Sequence, residues 1–265
     1  FAISERFTII RNGESVITCL PEDLDHKKLS YYMTGREFDD ARFTPELVVQ
    51  EPVLEVSNLG VDGAFADVNL TLCPGEILGI TGLLGSGRTE LALSLFGALP
   101  ADTGQIRLDG KPVTLARIRS AIAHGIGYVP EDRLTEGLFL ERSIGSNIII
   151  SEIDTFVSKV GVFDKAKADA AAADWVKELR IATPNPENAV GTRSGGNQQR
   201  IVLAKWLATK PKVLILNGPT VGVDIGSKHD IHRILRELAA EGLAVIIISD
   251  DIPEVIQNCN RVMVM

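Results

Sequence analysis

Apolar residues along this chain change their spacing several times, and each change marks an element. Short strand-like runs fall at 53–56, 68–72 and 77–81, followed by a glycine-rich turn and a helical stretch over about 87–97. A strand QIRLDG (105–110), a helix over about 115–124 and a strand GIGYVP (125–130) come next. Between 132 and 193 the strand signal fades. There Ala168, Ala172, Trp175 and Leu179 recur with the repeat of a single helix face. After SGGNQQR (194–200) the pattern predicts another helix. Strand KVLILN (212–217), helix 227–240, strand AVIIIS (244–249) and strand RVMVM (261–265) follow. Alternation of this kind implies an α/β fold, a mostly parallel sheet with helices on both faces, carrying a helical insertion over about 132–210.

Both ends carry a similar short pattern. Arg6 before the apolar 7–10 matches Arg261 before 262–265, a weak internal repeat at about the length of a domain. The expectation is that residues 1–40 are the tail of a preceding, related domain. Residues 41–52, with Pro45 and Pro52, then form a linker, and 53–265 form one domain truncated at its C-terminal end. Within the tail, LDHKKLSYYMTG (24–35) reads as a helix. Segment 7–19 is a candidate to pair beside strand 261–265, covering an exposed edge in the same or a neighbouring molecule.

Composition narrows the function classes. The 265 residues are 45% hydrophobic and 23% charged, enough for a buried core. A net charge of −8 argues against broad nucleic-acid binding, which needs a basic footprint. Cys19, Cys73 and Cys259 show no disulfide or metal spacing. His229 and His232 lie three apart on a helix without a third ligand nearby, and a solvated helix face is the expectation.

The chemistry-bearing stretch is GLLGSGRT (82–89), between strand Ile77–Thr81 and the next helix. It matches the phosphate-loop pattern G-x-x-x-x-G-K-[ST], with Arg88 in place of Lys. Gly82, Gly85 and Gly87 free the backbone, so that their N–H groups and those of Ser86, Arg88 and Thr89 can wrap a phosphate. Thr89 is placed to ligate Mg²⁺. In LILNGPT (214–220), Asn217 and Gly218 stand where many nucleotide-hydrolysing proteins carry a metal-binding Asp and a catalytic Glu. Ser194 reads as a helix N-cap, with Gly195 and Gly196 exposing N–H groups behind it.

RSGGNQQR (193–200) resembles the signature motif of ATP-binding cassette (ABC) ATPases, and the resemblance covers about 53–265. Together with Arg88, VPEDR (129–133) and SDDIPEV (249–255), it looks like the second cassette of the tandem ATP-binding subunits of bacterial sugar importers. MTGRE (33–37) resembles the close of their first cassette.

The resemblance implies ATP and Mg²⁺ as ligands. It implies three partners: a first cassette in the same polypeptide, membrane permease subunits and, indirectly, a periplasmic sugar-binding protein. The place implied is the cytoplasmic face of the bacterial inner membrane. It assigns Ser194, Gly195, Gly196, Asn197 and Gln198 to the partner cassette's ATP, and Asp224 to a turn facing that partner.

It also shows degenerate positions. Asn217 replaces the metal-binding Asp, Gly218 the catalytic Glu, Asp250 the switch His, and Glu131 falls near the usual Gln. No aromatic suited to stacking on adenine is evident between Leu59 and Phe65, Phe65 being read as core. SIGSNI (143–148) resembles the segment facing the membrane subunits. The alternatives are a fully active ATPase using Asp250 or Asp251 as an unusual base, a non-transport ABC ATPase, and a purely structural module.

Overall fold

The runs Ile77–Thr81, Val213–Asn217 and Ala244–Ile248 are buried at every position, so both their faces need cover. Strands of that kind belong inside a parallel sheet flanked by helices. In the computed structural model, which describes residues 2–11, 13–37 and 50–265, they form the centre of one. The chain runs β1 (Phe7–Arg11), β2 (Glu14–Cys19), α1 (His26–Thr34), β3 (Leu54–Val61), β4 (Phe65–Leu72), β5 (Ile77–Thr81), α2 (Arg88–Leu95), β6 (Thr103–Leu108), β7 (Lys111–Val113) and α3 (Ile118–Ala123). It continues with β8 (Ile126–Val129), α4 (Ile144–Ile149), α5 (Lys165–Glu178), α6 (Gly195–Leu207), β9 (Val213–Asn217), α7 (Ile225–Ala240), β10 (Ala244–Ile248), α8 (Ile252–Asn258) and β11 (Arg261–Val264).

The parallel sheet has the order β11-β5-β10-β9-β8. Its register aligns Ile248 with Ile80 on one side and Asn217 on the other. The loops after β5, β9 and β10 therefore leave the same carboxyl edge together, where open α/β sheets hold ligands. A second, antiparallel sheet has the order β4-β3-β6-β7, and Leu54, Leu72 and Leu108 meet in register and are buried. One continuous apolar core joins both sheets to the helices.

Residues 133–207 form the helical lobe. Small residues let its helices approach: a methyl group on Gly145 of α4 would touch Ala172 of α5 at 3.5 Å. Ala168, Ala172 and Leu179 are buried, as their spacing predicts, with Trp175 packed partly buried against the core. Helix α6 starts inside SGGNQQR at Gly195 rather than after it. The short β7, α4 and α8 carry too few residues to show a period, and the sequence pattern does not predict them.

The N-terminal segment departs from expectation. β1 and β2 pair only with each other among the described residues, Phe7 opposite Cys19, and α1 packs on β1. Within this chain segment 7–19 therefore does not lie beside β11, which pairs with β5. Arg36 meets Asp230 of α7 at 3.7 Å. Of the expected linker 41–52, residues 41–49 lie outside the described residues, as do 38–40 of the expected tail.

Candidate nucleotide-binding site

The carboxyl edge of the parallel sheet opens into a cavity of about 550 Å³. Its lining brings together Gly85, Ser86, Gly87, Arg88 and Thr89 with Glu131, Asn217, Gly218 and Asp250, residues distant in sequence. Gly82 lies behind this wall. A side chain there would run into the Met265 carbonyl and Ser86 Oγ, so its role is close packing under the loop. Gly87 caps α2 at φ 89°, and a Cβ would stand 2.7 Å from the Ala64 carbonyl and 2.8 Å from Phe65 Cβ. Only glycine takes that conformation and that contact without strain. Phe65 is buried in the core, as expected.

Arg88 is the first residue of α2, and its side chain is buried. It does not project freely. Its guanidinium forms an ion pair with Asp250, and its Nη1 is buried with no hydrogen-bond partner. Ser86 Oγ is likewise buried and unpartnered. Two orphaned donors beside helix N–H groups suit a phosphate oxygen, since a buried donor left unpaired is costly.

Thr89 Oγ1 accepts a hydrogen bond from Asn217 Nδ2 at 3.3 Å. Beside the Thr89 hydroxyl the Asn217 side chain presents its neutral amide nitrogen, where a carboxylate would bring an oxygen ligand and charge. Asn217 is also hydrogen-bonded to Tyr128; burial pushes that phenol up to about 12 despite the bond. Gly218 sits at φ 60°, and a Cβ would fall 2.9 Å from Val221 Cγ2 and 3.1 Å from Glu131 Cγ. The Val221 side chain and the Glu131 stem thus occupy the room a side chain at 218 would need.

Asp250 and Asp251, the candidate unusual bases, are both engaged. Asp250 holds Arg88; Asp251 caps α8 and takes Lys228 Nζ at 2.6 Å.

Ser194, Gly195, Gly196, Asn197 and Gln198 do not line this cavity. They form the start of α6 next to α7. Ser194 occupies the N-cap position with extended backbone, but no helix N–H reaches its hydroxyl, which accepts from Asn197 Nδ2 at 2.9 Å instead. Gly196 abuts α7, where a Cβ would lie 2.5 Å from Ser227 Cβ. Asp224 caps α7, accepting from Ser227 N at 2.9 Å and Ser227 Oγ at 2.7 Å. Arg133 reaches across from the turn after β8. It donates to the carbonyls of Val221 at 2.7 Å and Gly222 at 3.1 Å, and to Gln198 Oε1 at 3.4 Å.

A phosphate loop at a strand-to-helix turn and a glycine-led helix after a helical lobe recur in a known family, whose model, described as ABC transporter, matches residues 65–221. The chain belongs to the ABC transporter family. An ABC cassette solved without nucleotide superposes at a TM-score of 0.70 with 23% identity, over 81% of this chain and 88% of that one. A dimeric cassette bound to ADP and Pi gives 0.68 with 21% identity, over 80% and 94%. These establish the P-loop NTPase fold of an ABC cassette. A putative ribose/galactose/methyl galactoside import ATP-binding protein of Rhizobium etli is 42% identical over all of this chain and 50% of its own length. A ribose import ATP-binding protein of Oceanobacillus iheyensis is 40% identical over all of this chain and 53% of its own length. The chain spans about half the length of these curated relatives.

The ABC cassette also contains a buried network that sequence reasoning did not find. Glu254 of α8 accepts hydrogen bonds from Ser249 Oγ at 2.5 Å, Thr220 Oγ1 at 2.6 Å and His232 Nε2 at 2.6 Å. Burial alone would raise its carboxyl, but the bond and charge of His232, with Ser249 and Thr220, hold it down at about 2. His232 is thus 3% exposed and bound to a carboxylate. This corrects the expectation of a solvated face for His232, while His229 is partly exposed: α8 folds over the His232 side of α7. Among the described residues no group of three His, Cys, Asp or Glu could hold a metal.

Proposed function

We propose that this chain is the second nucleotide-binding cassette of the ATP-binding subunit of a bacterial carbohydrate importer, of the ribose and galactose type. The names of its relatives and their double length support that reading. The carrying observation is a divided site. The phosphate-facing groups are present in the loop 82–89, while Asn217 and Gly218 supply neither a metal-binding charge nor a base, and Asp250 neutralises the loop's cation. A general base is worth about 10²–10⁴ in rate. Gly218 cannot act as one, and Asp250 and Asp251 are committed to Arg88 and Lys228.

On this reading the loop N–H groups, Ser86 and Arg88 bind the nucleotide's phosphates, with Thr89 and Asn217 facing Mg²⁺, and hydrolysis at this site is weak or absent. The start of α6, from Ser194 to Gln198, is offered to ATP held by a first cassette in the same polypeptide, with Asp224 facing that partner. Permease subunits in the membrane couple to the pair, fed by a periplasmic sugar-binding protein, so the subunit works at the cytoplasmic face. Nucleic acid has no place in this scheme, in keeping with the charge of −8.

The test is a paired measurement. This chain is expected to bind ATP and to turn it over negligibly; robust turnover abolished by Arg88→Ala overturns the divided-site reading. In the full-length subunit with its permease, Gly196→Ala is expected to lower ATPase activity strongly and Asn217→Ala to leave it largely intact.

A further inference from the structure

The charge inventory of the cavity is lopsided. Its lining carries two cations, Arg88 and Lys228, against Glu90, Glu131, Asp250, Asp251 and Glu254. Neither cation is free. Arg88 is paired with Asp250, and Lys228 with Asp251 at 2.6 Å and Glu254 at 3.9 Å.

In a phosphate loop the backbone N–H groups cradle the first two phosphates, and the basic side chain of the motif reaches on toward the last. Here that side chain is Arg88, and the group it meets is a carboxylate. Asp250 therefore stands on the path a third phosphate would follow, in the cavity that Gly218 and Glu131 also line. We infer that this site discriminates against a terminal phosphate and holds a nucleoside diphosphate at least as tightly as a triphosphate, with Asp250 as the residue that sets the preference. The inference rests on the reading of the cavity as a nucleotide site.

The hydrogen-bond inventory agrees. Arg88 keeps one buried donor, Nη1, without a partner, and Ser86 Oγ is another. A diphosphate seated on the loop can satisfy both while the Arg88–Asp250 pair stays closed. A triphosphate must open the pair, turn Asp250 outward and bring its own negative charge toward Glu131 and Asp251. Asp250 is 72% exposed, so it has room to leave, but leaving costs the attraction of a buried guanidinium.

The experiment is calorimetric titration of the protein with ADP and with ATP, each with Mg²⁺. Wild type is expected to bind ADP as tightly as ATP or more tightly. Asp250→Asn is expected to raise ATP affinity about tenfold while ADP affinity moves less than about threefold, and Asp250→His to shift the ratio in the same direction. ATP binding about tenfold tighter than ADP in wild type, or equal shifts for both nucleotides in the two variants, overturns the inference and leaves the functional reading standing. Binding of neither nucleotide overturns both.

Discussion

Arg88 and Asp250 are joined by an ion pair in which the guanidinium is buried, 9% exposed, and the carboxylate is largely solvated, 72% exposed. That asymmetry decides which partner is costly to lose. Asp250→Ala leaves a buried cation alone and is expected to destabilise the nucleotide-free protein by about 1–3 kcal/mol. Arg88→Met returns a surface carboxylate to water and is expected to cost less than about 1 kcal/mol. Urea unfolding of both variants measures the difference, and equal losses would mean that the pair is not oriented this way.

Restoring Glu at position 218 is not a simple repair. The left-handed backbone at φ 60° and the close Val221 and Glu131 carbons oppose any side chain. Gly218→Glu is expected to cost about 1–3 kcal/mol and to give no hydrolysis by itself. Asn217→Asp, which needs no new space, is expected to be tolerated within about 1 kcal/mol. Thermal unfolding and steady-state ATPase measurements check both.

Glu254 sets an acid limit. Its folded carboxyl is held at about 2, below the usual 4.5, so its contribution is complete above about 4.5 and fades as pH falls toward 2. Glu254→Gln is therefore expected to be less stable than wild type at pH 7, with the gap closing progressively between pH 4.5 and 2. Chemical denaturation across that range reads the gap; a gap constant with pH would count against an ionised Glu254.

Lys205 acts in the opposite direction. It lies buried in α6, donates to the Gly137 carbonyl at 2.6 Å, and burial lowers it from 10.5 to about 8. Burying its charge costs stability at neutral pH, and the cost is relieved as pH rises from 8 toward 10.5. Lys205→Met should compare best with wild type near pH 7 and lose ground by pH 10, as measured by urea midpoints.

Gly196 and Ser227 form a steric couple between α6 and α7. Gly196→Ala is expected to destabilise the fold by about 1–3 kcal/mol, because the added methyl overlaps the Ser227 side chain. Ser227→Gly should recover most of that loss in the double variant, and unfolding of the four proteins of that cycle gives the coupling.

Local chemistry is what the sequence exposed. The buried runs of β5, β9 and β10 announce themselves by composition, and the phosphate loop by glycine spacing at a strand-to-helix turn. The lack of chemistry at Asn217 and Gly218 was equally plain, because it concerns which groups are absent. Relations between distant residues were hidden. Asp250 read alone is a charge in the wrong place, and only the fold shows that it answers Arg88. His232 read alone is a polar residue on a helix, and only α8, too short to have a period, buries it against Glu254. The strain at Gly218 was hidden too, since a single glycine does not reveal its φ.

The position of β5 has a consequence for how the molecule assembles. Its two neighbours, β10 and β11, come more than 160 residues later in the sequence, at Ala244–Ile248 and Arg261–Val264, and the Met265 carbonyl packs directly beneath Gly82. The phosphate loop therefore cannot take its final shape until residues 244–265 have been made and threaded on either side of it. During synthesis the segment before residue 244 can collapse, but competence to grip a ligand waits for β10 and β11 to close on β5.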